Sequence, residues 1–218
     1  MTETSGAKGL AFDGVTIGLR GEVIIDLSTH VPPGEIVSVM GPSGSGKSTL
    51  LAAAMGTLAP AFDFEGRIWL DGEDLSGLPP ERRRVGILFQ DDLLFPHLSI
   101  GANLAFGLGR RITGRAARRQ AVEAALSEIG LAGFADRDPA TLSGGQKTRV
   151  ALMRTLLAEP RALLLDEPFS SLDADLRSQM RALVFGRVRQ AGLPVLLVTH
   201  DAEDAAAAEG PILRIGKT

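Results

Sequence analysis

The chain has no cysteine, no tyrosine and a single tryptophan in 218 residues. Without cysteine there is no disulfide framework, no thiolate chemistry and no cysteine metal site, which suits a reducing compartment. Charge of one sign is also scarce in excess: a net charge of −3 gives no global attraction to nucleic acid or to an acidic membrane surface, so any such partner must be recognised locally. Long hydrophobic runs are missing too. The N-terminal MTETSGAKGL has no apolar core of signal-peptide length, and LPVLLV at 193–198 is far too short to span a bilayer. What remains is ordinary globular material, 44% apolar, enough for one domain with a small subdomain inserted in it. Three histidines, His30, His97 and His200, are left to consider.

Residues 35–40 (EIVSVM) read as a buried strand that ends in GPSGSGKSTL, whose glycines hand over to a helix through Thr49, Leu50, Leu51 and Ala52–Ala54. The same order recurs at ALLLDEP (162–168) and LPVLLVTH (193–200), each an apolar run followed by a helical pattern. Buried strands alternating with helices predict an α/β fold with a mainly parallel sheet. EVIIDL and GRIWLDG suggest short strands of a flanking, partly antiparallel sheet, and about Ile100 to Ala140 reads as a helical insertion.

Gly41 to Ser48 matches G-x-x-x-x-G-K-[ST], the phosphate-binding loop, in its required place between a strand and a helix. The amides of Gly41, Pro42, Ser43, Gly44, Ser45 and Gly46 lie in a loop able to form a concave anion nest; only proline brings no N–H. Lys47 would reach the β- and γ-phosphates, and the Ser48 hydroxyl would ligate Mg2+. A glycine-rich turn with a solvated lysine is the plain alternative, and the flanking strand and helix disfavour it. ALLLDEP adds two carboxylates at the carboxyl end of a buried strand, where open α/β sheets place their ligands. Asp166 would hold Mg2+ through water, and Glu167 would act as general base on an attacking water. His200, after VLLV, is either a capped turn residue or a γ-phosphate contact at another strand end. TLSGGQKTRV (141–150) puts Ser143, Gly144 and Gly145 at the start of a helix, a second anion-binding pattern.

These motifs together closely resemble the ATP-binding subunits of ABC transporters over nearly the whole chain. GPSGSGKST, including Thr49, looks like the Walker A loop, ALLLDEP the Walker B strand, LSGGQ at 142–146 the signature, SSLD at 170–173 the D-loop and His200 the switch histidine; Gln90 in ILFQDDLLFPHLS resembles the Q-loop glutamine. The resemblance implies one nucleotide-binding domain over 1–218, a phosphate-loop core with a helical subdomain of about 91–158. It implies ATP and Mg2+ as cofactors, Gln90 contacting Mg2+ and sensing the γ-phosphate, and a head-to-tail homodimer with ATP at the interface. There Ser143, Gly144 and Gly145 of one chain would close over the phosphate held by the other, and Asp173 would tie the two sites together.

It further implies integral-membrane subunits docking near Leu93, Leu94, Phe95 and Pro96, at the cytoplasmic face of the membrane, and an extracytoplasmic binding protein in the same system. The wording FPHLS is closest to importer cassettes. The chain ends soon after His200, without the C-terminal regulatory domain of some importer cassettes, as in small thiamine-type cassettes. One departure stands out: where the family places an aromatic residue to stack on adenine, this chain has Leu19 or Arg20, which predicts weak base discrimination. The arginines at 82–84 and at 110, 111, 115, 118 and 119 are read as solvated helical faces, so no nucleic acid is expected. The rival readings are a soluble ABC-type clamp acting on DNA or ribosomes, which would carry a long coiled coil or a second cassette, and a non-catalytic nucleotide-binding module, which would lack Glu167 or His200.

Overall fold

The computed structural model describes residues 7–90, 93–109 and 112–216. Asp91, Asp92, Arg110 and Arg111, which fall in stretches singled out above, lie outside the described residues. The chain divides into two compact units. One comprises the residues up to Ile87, Arg161–Glu167 and those from Val184 onward; the other comprises Leu88–Pro160 and Pro168–Leu183.

The first unit holds both sheets. Strands β1 (Leu10–Leu19), β2 (Glu22–Val31), β4 (Phe62–Leu70) and β5 (Glu73–Asp74) form an antiparallel sheet in the order β2-β1-β4-β5. Along β2, Ile25, Leu27 and Val31 are buried while Asp26, Ser28 and His30 are exposed, the period-two pattern of a sheet with one wet face. The second sheet contains β3 (Ile36–Met40), β6 (Val85–Leu88), β7 (Ala162–Asp166), β8 (Val195–Val198) and β9 (Ile212–Arg214), in the order β6-β7-β8-β3-β9. Its ladders β7/β8, β8/β3 and β3/β9 are parallel. All of β8 is buried, as are the first four residues of both β3 and β7, which is why these strands read as unbroken apolar runs rather than alternations.

Register decides what this sheet presents. Val39 pairs with Val198, and Val198 with Asp166, so β3, β7 and β8 end level with one another. The loops after Met40, Asp166 and Val198 therefore leave from a single edge, the carboxyl edge where open α/β sheets bind ligands. Helix α1 (Lys47–Met55) follows β3 and buries Leu50, Leu51, Ala53 and Ala54, in one core with Val37, Val39, Leu164, Leu196, Phe12 and Ile25.

The short helix α2 (Pro80–Arg83) ends in a buried arginine, contrary to the sequence expectation. Arg83 is not on a solvated face; it is 4% exposed and donates to the carbonyls of Ala53 and Ala54 at the end of α1 and to those of Leu78 and Ser76. A cation there opposes the negative end of the helix dipole. Burial lowers its pKa from the ordinary arginine value and Asp74 partly restores it.

The second unit is helical: α3 (Ile100–Gly107) packs on α4 (Arg115–Glu128) and α5 (Gly144–Leu157), and α6 (Ala174–Ala191) contributes its residues up to Leu183. No strand occurs between Ile100 and Ala140 among the described residues. None of the helices described is long and apolar enough to cross a membrane.

Candidate functional site

In the first unit, β3 leads through Gly41–Gly46 into α1. Gly46, the N-cap of α1, has φ 93, and a Cβ there would stand 2.7 Å from Ile24 Cγ2, so only glycine lets the loop run this close to β2. Gly46 offers no capping side chain, and the first turn of α1 has no acidic residue, which leaves the positive helix end to an external anion. Lys47 Nζ donates to the carbonyls of Gly41 and Pro42, both at 2.8 Å, and so lies across the mouth of the loop. Pro42, Ser43 and Gly44 are exposed, Thr49 is half-buried, and the Ser45 hydroxyl is buried with no hydrogen-bond partner.

At the end of β7, Asp166 Oδ2 accepts a hydrogen bond of 3.2 Å from the Ser48 hydroxyl of α1. Burial raises the Asp166 pKa above the usual 3.8, and the neighbouring Glu167 charge adds to that, while the Ser48 bond and the Lys47 charge pull it back. An alcohol and a carboxylate side by side are hard oxygen donors suited to Mg2+. No group of three His, Cys, Asp or Glu side chains capable of holding a metal occurs among the described residues.

Glu167 is fixed from two sides by the same neighbouring segment. Its backbone is in the left-handed region at φ 49, its N–H donates to Val198 O at 2.9 Å, and its Oε1 lies 2.9 Å from His200 Nδ1. Since a carboxylate only accepts, Nδ1 carries the hydrogen, and Nε2 is left as the outward nitrogen of a ring that is 66% exposed. The turn holding His200 is pinned on both flanks. Thr199 Oγ1 donates to the buried Asp204 and accepts from Asp201 N, while Asp201 Oδ1 caps the helix α7 (Ala202–Ala208). His200 is thus a hydrogen-bond partner of Glu167 at a strand end, as well as a residue of a capped turn.

The second unit holds the remaining sequence-predicted residues. Ser143 is the N-cap of α5 and forms a reciprocal capping box with Gln146: Gln146 N donates to Ser143 Oγ and Ser143 N to Gln146 Oε1. The hydroxyl proton of Ser143 is not consumed by this pair, and Ser143 and Gly144 are exposed. Asp173 is exposed and caps α6, its Oδ1 accepting from Leu176 N at 3.0 Å. Gln90, just past β6, is exposed.

A family model described as ABC transporter matches residues 24–170. The chain belongs to the ABC transporter family. This ABC cassette is 50% identical over 188 residues to YnjD of Escherichia coli (strain K12), an uncharacterised ABC transporter ATP-binding protein, with 86% of each chain covered. It is 49% identical over 186 residues to the thiamine import ATP-binding protein ThiQ of Cereibacter sphaeroides, covering 85% of this chain and 79% of that one. Among solved structures it resembles a dimeric ATP-binding cassette in a post-hydrolysis state bound to ADP and Pi, with a TM-score of 0.82, 31% identity and 94% of both chains covered. The α/β cassette fold is that of this neighbour. The protein is an ATP-binding, ATP-hydrolysing subunit of an ABC transporter, and the soluble-clamp reading is not favoured.

Around the sequence-predicted Leu93 and Phe95 of this ABC cassette, the structure adds Phe106, Asn103 and Arg154, which carry no signal in the sequence. Leu93 is 59% and Phe106 69% exposed, and Phe106 stacks edge-on against the half-buried Phe95 at 4.8 Å. Beneath them, the fully buried Asn103 accepts from Phe95 N and donates to the carbonyls of Phe95, Leu98 and Ser99. Arg154 donates to Leu93 O and covers the Phe95 ring at 5.0 Å. The apolar segment is therefore held by polar residues from α3 and α5. On the first unit, a hollow of about 390 Å3 beside the phosphate loop is lined by Glu22, Val23, Ile24, Pro42, Ser45 and Gly216. Arg20 sits at the β1–β2 hairpin tip, exposed and at φ 54.

Proposed function

We propose that two copies of this ABC ATPase close head to tail on ATP and thereby energise an importer. The observation that carries the catalytic reading is the pair of contacts at the carboxyl edge of the parallel sheet, Ser48 to Asp166 at 3.2 Å and Glu167 to His200 at 2.9 Å. Gly41–Thr49 bind the phosphates, with Lys47 turning from the loop carbonyls to the β- and γ-oxygens. Ser48 and Asp166 would hold Mg2+, which would supply neutralisation of phosphate charge. Glu167 takes a proton from the water that attacks the γ-phosphorus, the bond to the ADP oxygen breaks, and His200 Nε2 faces the departing phosphoryl oxygens. Ser143, Gly144, Gly145 and Asp173 serve the site of the opposite copy.

The dimeric neighbour bound to ADP and Pi supports the two-copy arrangement, and the thiamine import relative supports import as the direction. The surface of Leu93, Phe95 and Phe106 receives the integral-membrane subunit at the cytoplasmic face, and an extracytoplasmic binding protein supplies the cargo. Co-purification of the tagged chain from native membranes tests this reading. It is expected to bring down an integral-membrane subunit; recovery of the chain with ribosomes or DNA instead would overturn it.

A further inference from the structure

We propose that the hydroxyls of Ser171 and Thr148 form a directed relay that sets the orientation of the Gly145 amide, making both of them positioning residues for closure of the cassette dimer on ATP. The inference rests on the head-to-tail reading above. Thr148, 6% exposed in α5, lies one turn after Gly144, and its Oγ1 donates to Gly144 O at 3.2 Å. A hydroxyl has a single hydrogen. In the 2.7 Å contact between Thr148 Oγ1 and Ser171 Oγ, Ser171 is therefore the donor, and the chain of bonds runs from Ser171 through Thr148 to the Gly144 carbonyl.

The Gly144 carbonyl and the Gly145 N–H belong to one planar peptide. Holding the oxygen from inside the helix fixes the N–H on the opposite side, and this N–H is in the first turn, where helix donors have no partner within the helix. Steric contact reinforces the same connection. A Cβ on Gly145 would stand 3.1 Å from Leu172 Cδ2 and 3.5 Å from Ser171 O, and Leu172 is itself buried. The segment Ser171–Asp173 is anchored to α5 at its start and, through the Asp173 cap, to α6 at its end. A shift of this segment therefore turns the phosphate-facing peptide of α5, so the two motifs that face the opposite copy move together.

The relay is tested in the Glu167→Gln background, which arrests hydrolysis, by measuring the ATP concentration at which dimer forms in analytical ultracentrifugation and the ATP affinity of the monomer. Thr148→Val and Ser171→Ala each remove one hydroxyl, and Ser171 is exposed, so its variant keeps the fold. Each single variant is expected to raise the ATP concentration for dimerisation by roughly 2- to 10-fold, the order of one net hydrogen bond, with monomer affinity unchanged. The double variant should be no worse than the more affected single one, and Thr148→Ser should behave as the parent. Unchanged dimerisation in both single variants, additive losses in the double, or a Thr148→Ser variant as impaired as Thr148→Val would overturn the relay. A parent protein that stays monomeric in ATP would instead overturn the head-to-tail reading, and the relay with it.

Discussion

His200 Nδ1 and Glu167 Oε1 stand 2.9 Å apart, while the Glu167 backbone N–H bonds Val198, two residues before that histidine. Glu167, following β7, is thus tied to the same short segment of β8 and its turn that carries His200. Because the contact uses Nδ1, His200→Ala removes both the restraint on the carboxylate and the outward Nε2. Steady-state ATPase of this variant should fall by about 10²-fold or more in kcat, with nucleotide affinity of the monomer changed only slightly. Near-normal turnover would leave His200 as a turn residue alone.

Asp166 keeps a raised pKa mainly because it is desolvated, and the sign of its effect on stability follows. A carboxyl whose folded pKa lies above its unfolded value makes the protein most stable below the unfolded value, and stability declines as pH rises through the folded one. Near neutral pH the full cost of the charge is present. Asp166→Asn keeps an acceptor for Ser48 and should raise Tm of the nucleotide-free protein at pH 7, by about 2–4 °C for each kcal/mol relieved, while Mg-dependent ATPase is lost. A lowered Tm in thermal melts would contradict this account.

Val23 is 56% exposed and lines the hollow beside the phosphate loop, an aliphatic surface where stacking would need a ring. Side-by-side titrations of the wild-type monomer should show only a modest preference for ATP over GTP. Val23→Tyr should tighten ATP binding by about 5- to 150-fold, the range that corresponds to base stacking of 1–3 kcal/mol. A strong ATP preference in the wild type would place base recognition elsewhere, with Arg20→Ala as the next variant.

Leu93 projects from a segment braced by Asn103 and Arg154, and Phe106 from α3 beside it, so aspartates at the two exposed positions should leave the fold intact. Leu93→Asp with Phe106→Asp should abolish assembly with the integral-membrane subunit, since docking would bury unpaired charge, and basal ATPase should survive. Membrane fractionation and uptake assays read the outcome; unimpaired uptake would move the docking surface off this segment.

Strands β3, β7 and β8 of the parallel sheet and the residues at their carboxyl ends were legible because each strand and its terminal motif are contiguous: the apolar runs lead into Gly41, Asp166 and His200. Strand β1 was not, because Asp13 and Gly14 break its alternation; the ladder absorbs them in a register shift between Phe12 and Val15. Arg83 read as surface charge because the carbonyls that bury it lie in α1, 29 and 30 residues earlier in sequence. Asn103 looks like any polar residue of a helix, and only the fold wraps Phe95, Leu98 and Ser99 around it. Ser171 and Thr148 are two small hydroxyls in different motifs, and nothing local pairs them.

In the head-to-tail pair, the start of α5 is expected to serve the phosphate of another copy. Size-exclusion chromatography of Glu167→Gln in Mg-free ATP tests it most directly, alone and combined with Ser143→Arg. Glu167→Gln is expected to be a dimer with ATP and a monomer without it, and to become a monomer that still binds ATP once Ser143→Arg is added. A Glu167→Gln protein that remains monomeric at saturating ATP, or a Ser143→Arg change that abolishes nucleotide binding by the monomer, would contradict it.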